Sequence, residues 1–224
     1  MIGCIFIFIP YKYKDKVLTF GFGLSFIVMF LISVIDLVPH GLSLVFDEID
    51  VFVLAIFSFV FMFFGVLLIK LFDKYIKGEE LFKIGFLSMF SLLIHNIPEG
   101  MICAISSYTD FNLGLKMIFM IMLHNIPEGI CIALPIYYST KKVGNAIFYT
   151  FISGLGELVG SLLIVLFLKD FITDFILYII LMITAGIMIY LSVKKILVSA
   201  LGYKSYFWLI MGVLMGIIVI FITL

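Results

Sequence analysis

Long apolar runs, separated by short charged or turn-rich segments, cover almost the whole chain. A helix needs about 20 apolar residues to cross a hydrocarbon layer about 30 Å thick. By this measure the pattern predicts seven transmembrane helices, near residues 17–38, 51–72, 84–107, 115–138, 145–168, 171–193 and 205–224. Residues 1–9 form one further apolar stretch, which is too short to span. Because the connections are short, residues 1–224 are expected to form a single transmembrane domain.

The composition supports a protein that is embedded in the membrane. Of the 224 residues, 65% are hydrophobic and 12% are charged, against about 45–50% and about 25% in an ordinary soluble domain. This composition excludes a soluble enzyme. The 14 basic and 14 acidic residues balance, and without a basic patch the chain is not expected to bind nucleic acid. We expect a multi-pass protein of the cell membrane, with lipid around it.

The positions of the lysines indicate the orientation of the spans. Twelve of the 14 lysines precede the first span or lie at the connections after the second, fourth and sixth spans. These are Lys12, Lys14, Lys16, Lys70, Lys74, Lys77, Lys83, Lys141, Lys142, Lys194, Lys195 and Lys204. Basic residues are enriched in cytoplasmic loops. The lysine-rich side is therefore predicted to be cytoplasmic, with the loop 39–50 and the C-terminus outside.

The hexapeptide His-Asn-Ile-Pro-Glu-Gly occurs twice, at His95–Gly100 and at His124–Gly129. The midpoints of the third, fourth and fifth predicted spans fall near residues 95, 126 and 157. Both motifs and Glu157 are therefore predicted to lie at the centre of the bilayer. Ionisable side chains at this depth cost about 2.5–3.5 kcal/mol each on insertion scales, so they indicate a functional site.

The spacing within each motif is suited to binding a metal ion. Glu99 follows His95 by one helical turn, so the imidazole and the carboxylate lie about 40° apart on one face. Both are ligands for divalent first-row metals. Pro98 and Pro127 lack an N–H, which frees a backbone carbonyl that can line a polar cavity. The alternative, hydrogen bonding between packed helices, is disfavoured because three carboxylates in hydrocarbon repel unless they are protonated or bridged by cations.

The two motifs, together with the segment Ser153–Gly160 (Ser-Gly-Leu-Gly-Glu-Leu-Val-Gly), resemble the ZIP (Zrt/Irt-like protein) family of divalent metal transporters. The resemblance is closest to the bacterial, broad-specificity branch. Residues 19–39 resemble the second span of that family, and residues 185–193 resemble its seventh. Within the segment, Gly156 and Gly160 form a Gly-x-x-x-Gly pattern, which is predicted to hold the glutamate between them close to the motif-bearing helices.

The resemblance implies an all-α, polytopic membrane bundle with an inverted repeat. In the family, eight helices are present, and spans one to three are related to spans six to eight. Here seven spans are full, and residues 1–9 correspond to a truncated first span. A trace of the repeat is the offset of 159 residues (192 − 33) that relates Ser33-Val34 to Ser192-Val193.

The resemblance also implies a binuclear metal site at mid-membrane. Its ligands are expected to be His95, Asn96, Glu99, His124, Asn125, Glu128 and Glu157. One ion would lie among the histidines and glutamates of the motifs, and a second among the asparagines and Glu157, with the motif glutamates bridging. The implied function is transport of zinc, and of iron, manganese and cadmium, into the cytoplasm. Because the ions are cargo, no resident cofactor is expected; a homodimer is left open.

Two other functions are alternatives. A metal-binding remnant or sensor would keep the site without transport. An intramembrane metalloenzyme would use bound zinc to activate water. The His-Glu-x-x-His motif is absent, however, and the ligands are all engaged, whereas catalytic zinc keeps an open position. The chain is therefore expected to bind and move ions and not to be an enzyme.

Four further polar residues are weaker candidates for the ion path. Asp36 and His40 lie near the outer end of the first span and could line an access route, but an ordinary interfacial pair is favoured. Cys103 follows the first motif by one turn and is more simply explained as a small core residue. Ser106 lies on the face of the first motif histidine and is a candidate for the lining of the path.

Overall fold

The structure, a computed structural model, describes residues 2–168 and 173–223. All the regular structure in these ranges is helical, and seven helices are long and apolar enough to cross a membrane, as predicted. They are α1 (Tyr11–Val45), α2 (Val51–Tyr75), α3 (Glu80–Thr109), α4 (Phe111–Thr140), α5 (Val143–Leu166), α6 (Asp174–Gly202) and α7 (Tyr206–Thr223). Each predicted span overlaps one of them. The predicted limits at residues 1, 171 and 224 lie outside the described residues.

The first helix is longer than predicted because it continues through Pro39. The prediction of a loop over residues 39–50 is wrong in its first half, since α1 runs to Val45. Proline disturbs a helix by removing one N–H and by crowding the carbonyl four residues back. The residues just before Pro39, Ile32–Leu37, form a wider π-helical turn. Such a turn relieves the crowding, and the helix continues past the proline to Val45.

The π-helical turns indicate an internal repeat. A second one, Leu191–Leu197, interrupts α6. It begins 159 residues (191 − 32) after the turn in α1, which is the same offset as between Ser33 and Ser192. The helices also pair symmetrically, because α1 packs along α7 and α2 packs along α6. In each pair, one helix comes from the first half of the chain and the other from the second half, as an inverted repeat requires. We call these four helices the frame.

The other three spanning helices form a second group, in which α3 lies between α4 and α5. The contact between α3 and α5 is close because Gly156 and Gly160 face backbone carbonyls of α3, where any Cβ would collide. On α3, Gly100 faces the backbone carbonyl of Glu157 in the same way. The predicted role of the Gly-x-x-x-Gly pattern is therefore confirmed, since it holds Glu157 beside the first motif.

The apolar stretch at the start of the chain does not span. Residues Ile2–Phe8 form a short 3-10 helix, which agrees with the expectation from its length. This helix packs against α4. A side chain at Gly3 would collide with the backbone between Ile126 and Ile130. The short helix therefore lies directly beside the second motif.

Candidate metal centre

The two His-Asn-Ile-Pro-Glu-Gly motifs lie in the middle of α3 and α4. These helices are joined at Asp110, whose carboxylate caps α4 by accepting hydrogen bonds from the N–H groups of Asn112 (2.7 Å) and Leu113 (3.1 Å). Both helices are continuous through the prolines of the motifs. Because they pack side by side after a tight connection, residues at their midpoints lie at the same depth. The motifs are therefore brought together at mid-helix.

Four motif side chains form one buried cluster, which we call the histidine compartment: His95 and Glu99 from α3, and His124 and Glu128 from α4. Glu99 Oε1 lies 3.1 Å from His95 Nε2 and 3.0 Å from His124 Nε2. Glu128 Oε1 lies 3.8 Å from His95 Nε2.

These separations are close to those of a metal ligand set. Tetrahedral ligands about 2.0–2.1 Å from zinc lie about 3.3 Å from one another. In the described part of the chain, no three such side chains yet surround a common point. The imidazoles and carboxylates contact each other directly instead.

Several polar atoms of the histidine compartment have no hydrogen-bond partner among the described residues. They are both ring nitrogens of His95, Oε2 of Glu99 and both carboxylate oxygens of Glu128. His95 Nε2 is near Glu99 but is not aligned for a hydrogen bond. Leaving a buried polar group unpaired costs about 1–3 kcal/mol, and more for a charged group. A cluster of unpaired acceptors at mid-membrane is the arrangement that a cation would stabilise.

The remaining predicted ligands, Asn96, Asn125 and Glu157, are named here the asparagine compartment. Asn125 Nδ2 donates a hydrogen bond to Glu157 Oε1 at 2.5 Å. Asn96 Nδ2 instead donates to the backbone carbonyl of Ser153 at 3.0 Å. The Oδ1 atoms of both asparagines are buried and unpaired, so both amides keep an acceptor for an ion. Unlike the histidine compartment, Asn125 and Glu157 are only half-buried.

A cavity of about 120 Å³ leads to the histidine compartment from the end of the bundle that is predicted to lie outside. Asp36 and His40 of α1 line it together with Glu99 and His124. Asp36 and His40 therefore lie where an access route would run, and a part in such a route stays a prediction. They are four residues apart and share one face of α1, which turns both side chains towards the motif residues.

A larger cavity of about 430 Å³ lies beside the asparagine compartment. Its polar lining includes Cys103, Asn125, Glu157 and Ser161. The preference for Cys103 as a core residue is therefore wrong, because this thiol faces the region of the predicted ligands. Ser106 is half-buried three residues further along α3, and its place on the path stays a prediction.

Comparison with known proteins agrees with this arrangement. The family model described as ZIP zinc transporter matches residues 76–223, which contain both motifs and Glu157. The zinc transporter ZupT of Oceanobacillus iheyensis is 33% identical, over all of this chain and 91% of the relative. The ZupT of Streptococcus mutans serotype c is 30% identical over the same shares. The ZupT of Chlorobium luteolum is 40% identical, over 66% of this chain and 56% of the relative. The chain belongs to the ZIP family.

Membership of the ZIP family defines the class of protein. This ZIP chain is a multi-pass protein of the cell membrane, and the resemblance of its motifs to the bacterial branch is confirmed by the ZupT relatives. Its family is one of zinc transporters and not of enzymes, so the expectation that the chain is not an enzyme is confirmed. Divalent metal ions are its substrate class.

Two methionines of this ZIP chain were not identified from the sequence. Met117 and Met120 line the smaller cavity together with His124. They precede that histidine by seven and four residues, so all three side chains fall on one face of α4. This spacing is the signal that could have identified them. A thioether sulfur is a soft ligand, which adds a second kind of metal-binding atom to the cavity.

Proposed function

We propose that this ZIP protein moves zinc, and also iron, manganese and cadmium, across the membrane into the cytoplasm through a binuclear site. The observation that carries the proposal is the cluster of two imidazoles and two carboxylates, contributed by two separate motifs, whose acceptor atoms are largely unpaired. The relatives support zinc as the main ion, since those at 30–33% identity over the full chain are named zinc transporter ZupT.

The histidine compartment suits the first ion because of its charge. Two neutral imidazoles and two carboxylates carry two negative charges, which one divalent cation neutralises. Glu99 lies between the two histidines and is therefore the central ligand. Without the cation, two buried carboxylates face each other at a depth where uncompensated charge is costly. With the cation, the loaded site is electrically neutral and can move within the membrane at a lower energetic cost.

The asparagine compartment suits a second, more weakly bound ion. Its ligands are two amide oxygens, which are neutral, and the Glu157 carboxylate. Glu157 would exchange its hydrogen bond with Asn125 for contact with the ion, while the unpaired Asn125 Oδ1 becomes a ligand. Two divalent ions that share Glu99 and Glu128 as bridging ligands would repel each other. Arrival of one ion would therefore weaken the binding of the other, which favours release.

The smaller cavity supplies the route from outside. Asp36 and His40 offer a carboxylate and an imidazole to an ion that sheds water before it reaches the histidine compartment. On the lysine-rich side of that compartment the path is sealed by apolar residues without measurable exposure, such as Leu87 on α3 and Ile132 on α4. Release into the cytoplasm therefore requires α3 and α4 to move relative to the frame.

Zinc uptake into liposomes that contain the purified chain tests the proposal. The double substitution Glu99→Ala/Glu128→Ala is expected to reduce uptake to the level of empty liposomes. The matched control is Glu48→Ala/Glu79→Ala, which removes two exposed glutamates and should leave uptake unchanged. Full uptake by the first variant would contradict the site. Zinc that binds to the intact chain without uptake would instead identify a metal-binding remnant or sensor.

A further inference from the structure

A groove of about 380 Å³ opens at the lysine-rich end of the molecule, away from both ion compartments. It lies between the N-terminal 3-10 helix, the start of α1 and the start of α7. Its walls include Phe6, Val17, Phe20 and Trp208, and one charged residue, Lys16, lines it. The groove therefore has apolar walls and a positive charge at its edge. These two properties suit a molecule with a hydrocarbon part and an anionic part.

Two lysines share an aromatic ring at this groove. The ammonium groups of Lys12 and Lys16 lie 4.8 Å and 5.8 Å from the centre of the Tyr13 ring, which is part of the lining. Lys16 also lies 5.9 Å from the centre of the Trp208 ring. Aromatic faces attract cations without cancelling their charge. The rim of the groove is therefore strongly positive.

A second pair of lysines is arranged in the same manner around two other rings, which lie outside the lining of the groove. Lys14 lies 5.8 Å from the centre of the Tyr11 ring and 5.7 Å from that of Tyr138. Lys141, at the end of α4, lies 4.4 Å and 5.7 Å from the centres of the same two rings. Two ammonium groups that share two rings repel each other, and an anion placed between them would remove that repulsion.

No carboxylate in the described ranges neutralises these four lysines. The one lysine there that has a carboxylate within 4.0 Å is Lys195, which pairs with Asp73 and Glu80 at another place. Asp15, the acidic neighbour in sequence, is exposed and forms no such pair within the described residues. The charge at the groove is thus complementary to an external anion, and the apolar walls are complementary to a hydrocarbon chain.

We propose that this groove binds one anionic phospholipid. Its phosphate would contact Lys12 and Lys16, here called the groove lysines, and one acyl chain would lie along Phe6 and Phe20. Lysines near the cytoplasmic surface attract anionic lipids, and their long side chains reach the headgroup level while their stems stay apolar. Because three segments form the groove, the bound lipid would hold the N-terminal 3-10 helix to α1 and α7.

The single tryptophan of the chain, Trp208, reports directly on the groove. Bromine atoms on acyl chains quench tryptophan fluorescence on contact. The chain is placed in liposomes of phosphatidylcholine and phosphatidylglycerol, with bromine on either one lipid or the other at equal fractions. Brominated phosphatidylglycerol is expected to quench Trp208 more strongly. The preference should correspond to local enrichment of at least about fivefold, which is the attraction that one lysine gains near an anionic surface.

Two variants with the same change in charge test the assignment. The groove variant is Lys12→Gln/Lys16→Gln. The control variant is Lys70→Gln/Lys74→Gln, which removes two exposed lysines in the last turns of α2. The groove variant should lose the preference for phosphatidylglycerol, whereas the control variant should keep it. Equal quenching by both lipids in the unmodified chain, or a preference that survives in the groove variant, would overturn the proposal.

A third measurement distinguishes a phospholipid from free phosphate as the source of the anion. In detergent micelles, brominated phosphatidylglycerol is bound to the chain and inorganic phosphate is then added. Quenching of Trp208 that persists supports the proposal, because the acyl chain in the groove adds affinity that a free anion lacks. Recovery of fluorescence at millimolar phosphate would show that the lysines alone form an anion site, and it would overturn the assignment of the groove to a lipid.

Discussion

The two proposed ion compartments of this ZIP protein are built in different ways, although both use residues of α3 and α4. The histidine compartment is enclosed, and its four predicted ligands follow from the same one-turn spacing on two adjacent helices. The asparagine compartment needs Glu157 from a third helix, its Asn125 and Glu157 are half-buried, and it lies beside the larger cavity. One compartment thus depends on local helix geometry, and the other depends on packing between helices. Movement of α5 against α3 would change the second compartment and leave the first intact.

Replacing one glutamate by glutamine in each compartment should give the largest difference in zinc binding between the two compartments. Because Glu99 contacts both histidines, Glu99→Gln is expected to lower zinc affinity by more than about 100-fold, which exceeds the loss typical of an outer-shell partner. Glu157→Gln removes the same charge but should abolish only the second ion. Equilibrium dialysis with elemental analysis counts the zinc bound per chain. Two ions bound to Glu157→Gln would contradict the division into two compartments.

The same contrast explains what could be predicted from the sequence. The histidine compartment could be found because helical spacing and depth in an apolar run are both local properties. The position of Asp36 and His40 beside the motif residues could not be predicted, because their cavity joins α1 to helices far away in the chain. The first predicted span ends before Pro39, whereas in the structure the helix continues through it after a π turn over Ile32–Leu37. Asn96 and Asn125 occupy equivalent motif positions, yet they bond to different partners because α5 lies closer to α3.

Enlarging a side chain at the contact between α3 and α5 should affect the asparagine compartment selectively. A Cβ on Gly100 would collide with the backbone carbonyl of Glu157, which cannot rotate away. Gly100→Ala is therefore expected to displace α5 and to lower the affinity for the second ion by about tenfold. This loss is within the roughly 1–3 kcal/mol that overpacking costs. Isothermal titration with zinc measures both affinities.

The matched control for this substitution is Gly154→Ala, which lies on α5, the partner helix in this contact. The position has open space around it, so both ions should bind as in the unmodified chain. The helix itself should gain up to about 1 kcal/mol from the better propensity of alanine. If Gly100→Ala weakened both ions equally, the two compartments would not be separable through the contact between α3 and α5.

Mild acid should lower zinc affinity in one compartment and not in the other, by less than the substitutions above do. Only the histidine compartment contains imidazoles, and a metal ligand must be deprotonated to bind. An ordinary imidazole takes up a proton near pH 6.5, whereas an ordinary carboxylate does so near pH 4.3. Protons therefore compete with the first ion as the pH falls, and the affinity recovers as the pH rises again. Zinc affinity at the first site is therefore expected to be lower at about pH 6.5 than at about pH 8. Zinc titrations at these two pH values, on the unmodified chain and on Glu157→Gln, separate the two ions. The second ion is expected to be missing from Glu157→Gln. If acid lowered the affinity only for that ion, the histidines would not be ligands of the first ion.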